Sequence, residues 1–84
     1  MAEDKLIGKV THIYGKIGVV IIKLTAPLSV GQSVHFRGAH DDLTQVIGDM
    51  QYEHQTISQG TKGQEVGVKV EQKVHDGDKV FLVE

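Results

Sequence analysis

Along this chain apolar residues alternate with polar ones or gather in short blocks, and nowhere do they recur at the three-to-four spacing of an amphipathic helix. In KLIGKVTHIY (5–14), strict alternation places Leu6, Gly8, Val10, His12 and Tyr14 on one face and Ile7 and Ile13 on the other. His12, among such neighbours, reads as a satisfied residue of the interior. Gly15 and Lys16 then mark a two-residue turn, with Gly15 supplying the positive φ, into the almost wholly apolar IGVVIIKL (17–24). The pair predicts a β-hairpin. Pro27 has no N–H to give to a ladder, so TAP (25–27) is expected in a loop or at an edge. LSVGQSVHFRG (28–38) runs Leu28 and Val30 into Gly31 and then alternates, with Val34 and Phe36 on one face and Ser33, His35 and Arg37 on the other. Gly31 is expected in a turn that re-aims the strand and that a side chain would strain.

AHDDL (39–43) reads as a polar loop, and TQVIGDMQYEH (44–54) as one strand, with Val46, Gly48, Met50 and Tyr52 opposite Ile47, Asp49, Gln51 and Glu53. Residues 55–64 are rich in turn formers and hold one candidate for burial, Ile57. EVGVKV (65–70) sets Val66, Val68 and Val70 against Gly67 and Lys69; an Asp76-Gly77 turn and KVFLV (79–83) follow. The expected architecture is all-β, a small closed antiparallel barrel of about six strands, because closure removes the free edges that invite aggregation. Gly8, Gly18, Gly48 and Gly67, inside strand patterns, are expected at bulges or bends. The chain forms one domain, 1–84, with the barrel over 5–83 and a flexible lead of residues 1–4. It starts with Met and stops just after an apolar segment, so it is expected to be a complete small protein.

The order of these motifs resembles the second domain of translational GTPases of the elongation factor Tu type. The matching positions are Val30, Gly31, Val34 and Gly38, then Met50, then Gly63, Val66, Gly67 and Val68, and finally Gly77 and Val80. The resemblance runs from about residue 6 to 83. Similar domains also occur as C-terminal appendages of collagenase-like peptidases. It implies a translation-factor type of barrel without the motor, since no G-x-x-x-x-G-K-[ST] loop is present and GTKG (60–63) has the wrong spacing and no GK[ST] after it. In the factor, the matching module holds the aminoacylated end of tRNA near an acidic residue that precedes the Met; Asp49 occupies that position, whereas Gln32 stands where the family has an acid. Such domains also lean on ribosomal RNA, which points to Lys23, His35 and Arg37 as an outer binding face. The resemblance thus implies a non-catalytic, standalone barrel that binds tRNA, ribosomal RNA or a translation or modification protein through Lys23, Gln32, His35, Arg37 and Asp49. Its other half implies an accessory module acting with a separately encoded enzyme such as a collagenase-like peptidase.

Composition narrows the chemistry. No cysteine is present, so there is no disulfide, thiol nucleophile or thiolate metal site. The net charge of −2 argues against strong non-specific binding to polyanions, but leaves room for a local basic face built from Lys9, Lys16 and Lys23 or from Lys62, Lys69 and Lys73. Five histidines show no metal-binding spacing; HDD (40–42) and HDGD (75–78) read as turns. No serine sits in a nucleophile-elbow setting, and a meeting of His35 with Asp49 across strands is the nearest approach to a catalytic pair. No catalytic residue, metal, cofactor or nucleotide is expected. The acidic N-terminus lacks a signal-peptide pattern and the longest apolar run, IGVVII, is too short to span a bilayer. A cytoplasmic monomer is expected.

Overall fold

In the computed structural model, which describes residues 5–38 and 42–83, the alternating segments form strands and no helix is present among the described residues. Ten strands result: β1 (Lys5–Tyr14), β2 (Val19–Leu24), β3 (Leu28–Ser29), β4 (Ser33–Arg37), β5 (Asp42–Val46), β6 (Met50–Tyr52), β7 (Gln55–Thr56), β8 (Gln59–Gly60), β9 (Glu65–Lys69) and β10 (Lys79–Val83). Eight lie in one antiparallel sheet of order β5-β4-β10-β1-β2-β9-β6-β7, and β3 pairs with β8 in a second, two-stranded sheet. No helix among the described residues is long and apolar enough to cross a membrane.

One layer of aliphatic side chains fills the inner face. Val34 and Phe36 of β4 and Val66 and Val68 of β9 are fully buried, as their alternation predicts. They meet Val20, Ile22 and Leu24 of β2, Met50 of β6 and Val80 of β10 in one cluster. Leu28 of β3 and Ile47 and Val74, all outside the main sheet, complete it.

β1 breaks strict alternation. Its register shifts against β10 between Leu6 and Gly8, and against β2 between Val10 and His12. Each irregularity lets one residue slip the count, so Ile7, Gly8 and Val10 all point inward while Leu6 is 46% and Tyr14 48% exposed. The expected common face of Leu6, Gly8, Val10, His12 and Tyr14 is therefore split, Gly8 and Val10 inward and the other three exposed, with the His12 ring 4.9 Å from that of Tyr14. Gly8 is required at its bulge: a Cβ there would lie 2.8 Å from the Lys23 carbonyl oxygen and 2.7 Å from Ile22 Cγ2.

The turns differ in part from expectation. The β1–β2 connection spans 15–18, not two residues, and its positive φ (67°) belongs to Gly18 rather than Gly15. Gly31 does take φ 95°, and Gly77 takes 89° in the Asp-Gly turn. Of the expected loop 39–43, residues 39–41 lie outside the described residues, while Asp42 and Leu43 already belong to β5, with Leu43 buried.

The expected closed barrel is not found. The segment 44–54 is two strands, because Ile47 leaves the ladder: its N–H donates to the Gln32 carbonyl (2.8 Å) and its own carbonyl accepts from Gly31 N (2.8 Å). Leu43, Gln45 and Ile47 turn inward and Val46 is 55% exposed, while Met50, expected on the face of Val46, is buried, so the break divides each expected face. The sheet still curls until β5 approaches β9, but the seam is bridged by a side chain and not by a ladder. Gln45 Nε2 donates to the Lys69 carbonyl (2.9 Å) and Gln45 Oε1 accepts from Glu71 N (3.0 Å).

Two substitutions test this account by thermal melting. Gln45→Leu keeps the bulk but strands two backbone groups, and a loss of about 1–3 kcal/mol is expected; a change within about 0.5 kcal/mol would show that the seam does not need the amide. Gly31→Val should cost about 1–3 kcal/mol because it forces a β-branched residue to positive φ; an unchanged melt would remove the turn argument.

Candidate functional site

With the inner face filled by apolar side chains, chemistry is confined to the outer face and the strand ends. The residues singled out from sequence do not form one site. Gln32 closes the turn around Gly31, its Oε1 accepting from Ser29 N at 2.7 Å while its backbone serves Ile47. That contact gives Gln32 a structural task. Asp49 is exposed in the break between β5 and β6, beside Lys69 and Glu71. His35 does not meet Asp49; its Nε2 pairs with Asp42 Oδ1 on the neighbouring strand. The imidazole is mostly covered, with 18% of the side chain exposed, whereas the Asp42 side chain is 82% exposed. Lys23 and Arg37 are both exposed and face outward, on β2 and β4, separated by β10 and β1.

HDD (40–42) falls mostly outside the described residues. HDGD is a turn: Asp78 Oδ2 accepts from His75 N (3.0 Å), and Asp78 N donates to the His75 carbonyl (3.2 Å). Asp78 is only 5% exposed, and its carboxylate lies against Gly38, where a Cβ would stand 2.0 Å from Oδ1. Among the described residues no group of three or more His, Asp or Glu could hold a metal ion.

The largest apolar exposure is at the tip of the β1–β2 hairpin, which the sequence pattern does not single out. Ile17 is 64% and Tyr14 48% exposed. Tyr14 and Val19 line two depressions, so the hairpin tip forms the wall between them. One, of about 550 Å³, reaches toward Val70–Val74. The other, of about 420 Å³, runs over Gly67 between Ile17, Val19 and Ile21 on one side and Gln51, Glu53 and His54 on the other. Gly67 is its floor: a Cβ there would touch Ile21 Cδ1 and Val19 Cγ1 at 3.6 Å each.

The far wall is built on a strained turn. Tyr52 pairs with Gln55, which leaves Glu53 and His54 as a two-residue hairpin loop with φ 50° and 65°. Positive φ at both positions is the type I′ requirement, normally met by Asn-Gly. Two residues with ordinary side chains in this conformation store strain at the lip of an apolar groove, a combination found at binding sites.

The fold is that of a peptidase C-terminal domain. Two crystal structures of the C-terminal domain of a Geobacillus thermoleovorans protein assigned to the U32 peptidases superpose with TM-scores of 0.87 at 20% identity. The selenomethionine form matches 92% of this chain and 98% of that chain, and the other form 93% and 91%. In sequence, an uncharacterized protease of Methanocaldococcus jannaschii is 33% identical over 78 residues, which are 92% of this chain and 19% of the relative. A collagenase of Porphyromonas gingivalis is 27% identical over 81 residues, 94% of this chain and 22% of its own length. The chain thus spans about a fifth of the length of the curated relatives it matches. No family model matches. These relatives support the peptidase-appendage half of the resemblance, and none of them is a translation factor.

Replacing the strained pair by the sequence the turn favours, Glu53→Asn with His54→Gly, should raise stability by about 1–3 kcal/mol in denaturant titration. An equal or lower stability would mean that the turn holds no strain.

Proposed function

We propose that this chain is a non-catalytic accessory module of a collagenase-like peptidase, and that it docks on the catalytic body through the tip of the β1–β2 hairpin. The observation that carries this reading is the pairing of a domain-sized likeness to a peptidase appendage with relatives of which four fifths lie outside the match. Exposed large aliphatic and aromatic side chains flanked by apolar depressions are the usual anchors of a protein contact.

The test uses the intact chain with a purified collagenase-like peptidase body freed of its own C-terminal domain. Calorimetry should detect association, and Ile17→Asp should weaken it by roughly tenfold or more. Ile17 is 64% exposed, so the substitution should leave the melting temperature nearly unchanged. No association with the body, or equal binding by the variant, would overturn the docking assignment.

A further inference from the structure

The strand registers place basic side chains in one lateral row that the sequence scatters over 70 positions. Arg37 of β4 is directly opposite Lys79 of β10, Lys79 opposite Lys9 of β1, and Lys9 opposite Lys23 of β2. Direct cross-strand partners project from the same face, and all four residues are exposed. With adjacent strands about 4.8 Å apart, the row extends across about 14 Å. Like charges directly opposite one another destabilise a sheet. Here three successive pairs do so in a chain whose net charge is −2.

Carboxylates flank the row, Asp42 beside Arg37 and Glu65 beside Lys23, but their contacts lie elsewhere. Asp42 is directly opposite Arg37 but pairs with His35 instead. Glu65, opposite Lys23, is within 3.4 Å of Thr11 Oγ1. Among the described residues none of the four cations forms an ion pair. At the β4–β10 end the surface dips into a shallow depression of about 480 Å³ lined by Arg37, Lys79 and Phe81, with Gly38 and Gly77 exposing backbone. Phe81 is half-buried, opposite His35 on β4 and the exposed Leu6 on β1.

We propose that this face binds a single-stranded nucleic acid, its phosphates tracking the row Arg37, Lys79, Lys9 and Lys23 and one base stacking on Phe81. A line of evenly spaced, unpaired cations fits a repeating anion, and an aromatic ring beside it supplies what an acidic peptide has no use for. Duplex recognition is disfavoured because one sheet face of about 14 Å meets few phosphates of a rigid helix, whereas a flexible strand follows it. This surface is separate from the hairpin tip, and the proposal does not depend on the peptidase reading.

The experiment is fluorescence anisotropy with labelled oligouridylate and oligothymidylate, their duplexed forms and a polyglutamate peptide as probes. Single strands should bind weakly, and the logarithm of the binding constant should fall with the logarithm of salt at a slope of about −2 to −3, as three or four phosphate contacts give. Lys79→Glu should flatten that slope and weaken binding by tenfold or more. Phe81→Ala should weaken it by about 5- to 100-fold with the slope kept, since stacking carries no charge. Lys9→Thr serves as the folding control: it should melt no lower than the parent while losing one unit of contact from the slope. Absence of binding at low salt overturns the proposal. So does polyglutamate competing equally with Phe81→Ala without effect, which would assign the row to an acidic protein segment, and so does equal binding of duplexes.

Discussion

The side-chain amide of Gln45 ties the edge strand β5 to the end of β9 across the gap in the curled sheet. A barrel of this size closes when its first and last strands share a ladder. Here β5 ends at Val46 because Ile47 is drawn off to the turn at Gly31 and Gln32, so the ladder cannot continue. Gln45 presents a donor and an acceptor in the fixed geometry of an amide, the same pair that a strand residue would offer, and it meets the backbone on both sides of Val70. A buried amide satisfied at both ends adds to stability, and half-satisfied it would subtract from it.

A filled interior has a consequence for function. Phe36 and the valines of β4 and β9 occupy the inside, and the depression beside the hairpin tip reaches the core only at its rim, at Val20 and Val74. Only the outer face and the loops can act, and these are the places where the chain departs from what stability alone would select. Ile17 is apolar and exposed, Glu53 and His54 sit at positive φ, and four cations face one another across adjacent strands. Each departure is unfavourable to the isolated module. Together they mark two areas at opposite ends of the β1–β2 hairpin.

Much of the fold is legible in the residue pattern, and the exceptions have a common cause. Val34 and Phe36, Val66 and Val68, and the turn at Gly31 follow directly from alternation and from the conformational freedom of glycine. The faces of β1 and of 44–54 do not: Gly8 and Gly48 mark the places where a bulge or a break falls, but not which residues turn inward on either side of it. The resemblance brought Lys23 and Arg37 forward as parts of an outer face. It could not bring in Lys79, and it could not show that Lys9 stands between them, since lateral adjacency exists only once registers are fixed. Gln32 drew attention as a family position, but its side chain is committed to its own turn.

The two areas are far enough apart to be used together. Lys9 and Tyr14 are five residues apart on β1, which at about 3.3 Å per residue puts the basic row some 16 Å from the hairpin tip along the same strand. A partner covering the tip would meet Tyr14, Ile17 and the groove over Gly67, while the row lies on the half of the hairpin that ends at β10. The bulge between Val10 and His12 separates the two halves and sets their outward directions independently. A module anchored by its tip to a larger protein thus keeps its cationic row free, and a strand bound there is held at a fixed distance from the anchoring protein.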